Sequence, residues 1–480
     1  MVNKISPKIL MIFALVATCC SPSQKNESPL KKDINGIKIV YLDCNIDEFN
    51  KIYTNYKENT YIPVTVTYDG KIWPKVKLRI RGDSSRKLKK KSLKLKFSKT
   101  DLFIQGVKKI NLNAEWYDKT YMNQYLSSHL MRKNNINCFN SEHIVIYLNN
   151  KFYGIYLMIE NLDKQFLKSR NINNSVLYKA TKDGACFNDS SEVDKLWEKK
   201  ISKKNLSKTN LKNFITASNN LKIEDSYQFY KNNYKYKKLI SLVALNILTG
   251  NKSTYYHNYY LMHNTKNNKW EMLPWDLDKT MMKELVDLHY ARTTWSEGYN
   301  SNLPDNPIPE YVFLNENMKK DLQLELDNLI IKDFNLEYLS PIIDSLALLF
   351  EPLIALDTTD NISSVNEWEV AVTELKDYIK NRPAVVKSHL NNYPSSFEVY
   401  PPNKYTISWS ASNSATEITY EVKLCTDKNF KETKTFSFKT EKNTVIIQHL
   451  PKGEYFYYVN AINKFGLTTG FRIKNKINIP

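Results

Sequence analysis

The sequence predicts a two-lobed α+β unit over residues 34–392, followed by a small all-β sandwich over residues 393–480. Three observations carry this expectation. Short stretches that alternate apolar and polar residues crowd the first part of the chain. Long stretches of helical period fill residues 318–390, and beyond 393 short strands return, separated by turn residues. With 42% hydrophobic and 12% aromatic residues, the 480-residue chain has enough apolar side chain for several cores, so a wholly disordered protein is excluded. The 11 Gly and 17 Pro exclude collagen-like and mucin-like chains as well.

The first segment addresses the compartment. Lys4 and Lys8 precede an apolar stretch over 9–17, the pattern of a secretory signal peptide. It is too short to cross a bilayer, which takes about 20 residues in a helix. Val16-Ala17-Thr18-Cys19 resembles a bacterial lipobox, which makes Cys19 the lipidated residue, or Cys20 if the cut is shifted. Residues 1–19 are thus read as signal peptide and 20–33 as a polar tether. The expectation is an extracytoplasmic lipoprotein, bound to the membrane through its lipid anchor, on the outer membrane or cell surface. Cys44, Cys138, Cys186 and Cys425 are widely spaced without a CxxC pair, so they read as isolated residues with one disulfide left open.

Extended stretches follow at 37–42, 64–68, 76–81, 92–97, 109–112, 143–148 and 154–159, with helices at 121–133, 237–248, 318–329, 336–349 and 364–390. The 69 Lys+Arg against 50 Asp+Glu give a net charge of +19, which invites a nucleic-acid reading. The charge is scattered, however, and no zinc-finger, basic-zipper or RNA-recognition signature accompanies it, so no nucleic-acid partner is expected. The densest basic run lies over 75–99. Within it Leu93, Leu95 and Phe97 face one way and Lys94 and Lys96 the other, a half-buried strand. Such a strand presents either a solvated basic face or a site for an anionic phosphate. The last 88 residues resemble a fibronectin type III domain through Trp409 and the strand Gly453-Glu454-Tyr455-Phe456-Tyr457-Tyr458-Val459.

Three blocks in order carry a second resemblance. They are Arg79-Ile80-Arg81-Gly82-Asp83-Ser84-Ser85 with Lys90-Lys91-Ser92-Leu93-Lys94-Leu95-Lys96-Phe97, then Asn149 to Glu160, then Asn258-Tyr259-Tyr260-Leu261 with Lys269 to Asp278. Together they resemble the CotH (spore coat protein H-like) atypical kinase family. The resemblance implies a two-lobed, atypical protein-kinase-like domain that uses ATP and Mg²⁺ to phosphorylate Ser or Thr of extracytoplasmic proteins. It implies Asp276 as a metal ligand, with Asp278 beside it if the segment is extended. Arg81, Ser84 and Asn258 are candidates for the phosphates. Lys91 or Lys94 would join them, on opposite faces if alternation holds. Glu160 pairs with a lysine, sits near the nucleotide, or is a surface acid opening a helix over 163–170.

The chain departs from the family where an aspartate usually follows the Gly-Asn turn: Gly250-Asn251 is followed by Lys252 and Ser253. Serine cannot supply an anionic base at neutral pH. Asn123 stands where the family has an arginine, and Asp83 replaces an asparagine. An alternative follows, that of a catalytically inactive, kinase-like surface lipoprotein acting as a binding scaffold for a partner.

Overall fold

The computed structural model describes residues 30–480 except 183–184, 186, 188–189, 202–207, 252–253, 256, 283–305, 358–360, 428–429, 431–434, 465–467 and 470–474. The signal peptide, Cys19, Cys20, most of the tether, Cys186 and Ser253 therefore lie outside the described residues. Cys44, Cys138 and Cys425 are free thiols.

Eight strands form the first sheet: β1 (Asp33–Ile34), β2 (Ile37–Asp43), β3 (Ile62–Tyr68), β4 (Lys71–Ile80), β5 (Leu93–Lys96), β6 (Lys109–Asn113), β7 (Ser141–Leu148) and β8 (Lys151–Glu160). Their order is β1-β2-β3-β4-β5-β6-β8-β7, and β7 also pairs with β2 in parallel, so β2 to β8 close a ring. Alternation along each strand sends one set of side chains inside. Val40, Val66, Leu78, Leu93, Leu95, Leu112 and Ile146 are fully buried there. The opposite face of β4, β5 and β6 carries a polar row, because Arg79 pairs with Lys94 and Lys94 with Asn111.

A second sheet comprises β9 (Ser175–Ala180), β10 (Trp197–Ile201), β11 (Tyr259–Asn264) and β12 (Lys269–Pro274), in the order β10-β9-β11-β12. It packs with helices around one larger core. At the centre runs the helix Tyr236–Thr249, buried nearly all round from Leu239 on and apolar there apart from Ser241, Asn246 and Thr249. It ends at Gly250, whose φ of +58° is the left-handed cap that glycine takes without strain. A helix leaves its last carbonyls without partners. Here Arg382, from the long helix Val365–Asn391, donates through Nε and Nη2 to the Ile247 carbonyl at 3.1 and 2.8 Å. The Tyr378 hydroxyl donates to the Leu248 carbonyl at 3.0 Å.

The helices Glu316–Lys332, Leu336–Ile354 and Val365–Asn391 occupy the stretches where helical period predicts them. Short or half-exposed elements, such as the helices Ile46–Thr54 and Pro307–Leu314, were not among the expected ones. Beyond residue 393, a two-stranded and a five-stranded antiparallel sheet share a core that includes Trp409, Val422, Tyr457 and Val459. This part is seated on the preceding helix by Ser414 Oγ and Asn463 Nδ2, which donate to the Asn392 carbonyl at 2.8 and 2.7 Å. Among the described residues no helix is long and apolar enough to cross a membrane.

Candidate functional site

The site forms where the polar outer face of the barrel meets the second sheet. Arg81 extends β4, its N–H donating to the Ser92 carbonyl at 2.9 Å. Its guanidinium donates to Asn113 Oδ1 and lies 5.7 Å from the Trp275 ring centroid, within cation–π reach. Trp275 also packs edge-on against Tyr260 and Phe139. The chain then turns. Asp276 has a φ of +62°, and Leu277 and Asp278 form a turn rather than an extended strand. Strand alternation therefore does not place the two aspartates on one face, as the sequence reading supposed.

The helix Asn123–Lys133 clamps this turn. Gln124 Oε1 accepts from the Leu277 N–H at 3.1 Å, and Asn123 Nδ2 donates to the Thr280 carbonyl at 2.7 Å. Ser127 and Thr280 hydroxyls are 2.8 Å apart. The Met281 N–H donates to the Thr249 carbonyl at 2.7 Å, which ties the turn to the end of the central helix. Asn123, a departure by sequence, thus has a defined structural task.

Below the turn lie two more carboxylates. Glu115 is 3% exposed; Oε1 accepts from Gln124 Nε2 at 2.7 Å, and Oε2 has no partner among the described residues. Asp118 accepts from the Thr120 and Asn123 N–H groups at 2.8 and 2.6 Å. Burial and the Asp278, Asp118 and Asp276 charges push Glu115 well above the usual carboxylate range. Burial, then Asp276, pushes Asp278 up to about 7. Asp118 rises to about 6 through burial, against the hydrogen bonds it accepts.

The other side is cationic. Burial and the charges of Arg81, Arg79, Lys109 and Lys179 push Lys94 down to about 7. Lys179, on β9 of the second sheet, falls to about 8 through burial and the nearby Lys200 and Arg81, with Asp276 acting in the opposite direction. Arg81 is lowered by burial and sustained by Asp276. Asp276 thus stands between an acidic group and a basic group, each electrostatically disfavoured as it stands.

The remaining candidates separate. Lys94 faces this site and donates to Asn161 Oδ1 at 3.2 Å. Lys91 points elsewhere: its ammonium donates to the Arg86 and Leu88 carbonyls at 2.6 and 2.9 Å, over the Tyr53 and Tyr56 rings. Glu160 is held by Arg170 through both oxygens, at 2.9 and 2.8 Å, and caps the Asn140 N–H. Its partner is an arginine, not a lysine. Ser84 is exposed at the start of a 3₁₀ turn, and Asn258 (φ +60°) leads into β11. Sequence reasoning missed Lys179, Glu115 and Asn111; a lysine inside the apolar strand Ser175–Ala180 was the one available signal.

The family model described as CotH kinase protein matches residues 78–386, more than half of the chain and all the residues of this site. The chain belongs to the CotH kinase protein family. It is similar to the inner spore coat protein H of Bacillus subtilis (strain 168), at 24% identity over 327 residues, covering 66% of this chain and 87% of that protein. Among solved structures, a Helicobacter pylori proinflammatory kinase, CtkA, aligns at 12% identity with a TM-score of 0.28, covering 68% of this CotH-family chain and 90% of the other. The Shewanella oneidensis HipA–HipB–operator DNA complex aligns at 12% with a TM-score of 0.22, covering 57% and 66%. Scores this low carry no argument about the fold.

Among the described residues, no three His, Cys, Asp or Glu side chains already converge as a ligand set. Mg²⁺ does not need three, since it is usually held by one or two carboxylates together with substrate phosphates and water. The hard oxygens of Asp276 and Asp278, with the unpartnered Glu115 oxygen behind them, suit that ion.

Proposed function

We propose that this CotH-family chain is a two-lobed, lipid-anchored protein kinase, which transfers the γ-phosphoryl group of ATP to Ser or Thr hydroxyls of extracytoplasmic proteins. One observation carries the reading: a carboxylate group and a cation group, drawn from different elements, flank Asp276 and are each disfavoured without an opposite charge. A divalent cation with a polyphosphate supplies both opposite charges at once. In this reading Asp276 and Asp278 hold Mg²⁺, while Arg81, Lys94 and Lys179 neutralise phosphate oxygens. In the transfer, the bond from γ-phosphorus to the bridging oxygen breaks and a bond to the substrate hydroxyl oxygen forms. The hydroxyl proton leaves to a base or to solvent. The tail, read as a fibronectin type III-like sandwich, is a docking or spacing module.

A second reading rests on Ser253, which stands where the family usually has an aspartate. In it the chain is a catalytically inactive, kinase-like surface lipoprotein that serves as a binding scaffold for a partner. Calorimetry of MgATP with the full chain and with Asp276→Ala tests the nucleotide site that the first reading needs. Micromolar, Mg²⁺-dependent binding that is lost in the variant is the expected result; no binding by folded protein would overturn the kinase reading and leave the scaffold. Phosphate transfer from labelled ATP to a generic protein substrate then separates the first reading from the second.

A further inference from the structure

Resting on the nucleotide reading, we infer that Asn111 is a phosphate-recognition residue: its side-chain amide donates to a phosphoryl oxygen of the bound polyphosphate. Asn111 lies mid-strand on β6, and its side chain is 1% exposed. Neither its nitrogen nor its oxygen has a hydrogen-bond partner among the described residues. A buried amide left in this condition is costly, so nearly all such groups in folded proteins are paired. Asn113, two residues on, shares its face and is paired, accepting from Arg81.

The surroundings say which ligand the amide suits. On the sheet, Asn111 is the direct cross-strand partner of Lys94, which in turn pairs with Arg79. The Lys94 ammonium is surrounded by the charges of Arg81, Arg79, Lys109 and Lys179. An amide among so many cations meets an anion, and an N–H donor adds direction to what the cations supply as charge. The alternating inward residues Ile110 and Leu112 belong to the barrel core, so β6 cannot slip to pair Asn111 without exposing them.

The inference has a two-part signature. Asn111→Leu, with the same branching and heavy-atom count but apolar, removes the unpaired amide. It should leave the thermal midpoint of the ligand-free full chain unchanged or higher, while weakening MgATP and magnesium tripolyphosphate binding at least tenfold by calorimetry. Asn111→Ser, smaller and unable to reach as far, should weaken both ligands too, and covers the case in which leucine misfolds. A lower midpoint with unaltered affinities would make Asn111 a structural residue and overturn the inference, leaving the nucleotide site standing. Loss of MgATP binding with tripolyphosphate binding intact would place Asn111 on the nucleoside and also overturn it. If the wild-type chain binds neither ligand, the nucleotide reading itself fails and takes this inference with it.

Discussion

The ammonium of Lys90 lies 3.0 Å from a carboxylate oxygen of Asp357, with neither side chain exposed beyond 2%. This pair joins the loop before β5 to the residue shortly after the helix Leu336–Ile354, so it pins the barrel to the helical part. The Tyr121 hydroxyl donates to the same oxygen at 3.0 Å, and Lys90 also sits over the Tyr121 and Tyr156 rings. Burial lowers Lys90 and the Asp357 charge sustains it.

Removing one member of such a pair strands the other in a low-dielectric site. Lys90→Met should cost about 3–5 kcal/mol of stability, and Lys90→Met with Asp357→Leu should recover most of it. Urea unfolding of the two variants checks this. Gly154 belongs to the same unit: its φ is +142°, and an added Cβ would meet Lys90 Cε at 3.3 Å and Asp357 Oδ2 at 3.4 Å. Gly154→Ala should therefore destabilise as well.

Lys94 gives nucleotide binding a pH dependence. Its folded value of about 7 lies below the ordinary lysine range, so between the two the folded state holds fewer protons than the unfolded chain. By itself, this makes the free protein gain stability as pH rises through that window. Binding of an anion favours the charged lysine, so the complex takes up a proton and affinity falls as pH rises from 7 to 9. Lys94→Arg, which stays charged, should flatten that dependence. Calorimetry in buffers of different ionisation enthalpy reads the proton uptake directly.

Glu160 and Lys91 should prove structural. Glu160→Gln breaks the paired contact with Arg170 and should lower stability by about 1–3 kcal/mol, with MgATP affinity unchanged within twofold. Lys91→Met should loosen the turn held by the Arg86 and Leu88 carbonyls, again with affinity little changed. A tenfold loss of affinity in either variant would return that residue to the site.

Ser253→Asp restores a carboxylate at the position where the family usually has one. If the rest of the site is competent, phosphate transfer to a generic substrate should rise at least tenfold, with MgATP affinity nearly constant. That split is expected of a group acting in the transition state. Equal turnover in both proteins would count against a simple lost base.

The sequence revealed the strands of the barrel because alternation and burial coincide there, as in Leu93, Leu95 and Phe97. The long helices were equally plain. Half of the site was not. Lys91 and Lys94 differ by three positions, and only the placement of Lys91 before β5, where carbonyls and two tyrosine rings collect its ammonium, separates them. Glu160 lost its expected part to Arg170, a contact set by how the helix Lys164–Ser169 folds back. Glu115 and Asn111 were invisible, and Lys179 showed only as a lysine inside an apolar strand, because their importance comes from neighbours on other elements, and local pattern carries no record of those.

The parallel pairing of β2 with β7 has a consequence for how the chain comes to be folded. The Cys44 N–H bonds to Asn149 Oδ1 across 105 positions, and the strands beside them close the ring. β2 therefore waits, with one edge open, until β7 has emerged and met it. Non-local closure of this kind is slow, because chain entropy is lost before the contact is gained. Until then the waiting edge can pair with other chains. A truncation ending before β7 should accumulate as aggregate, whereas one ending after the long helix Val365–Asn391 leaves the ring intact.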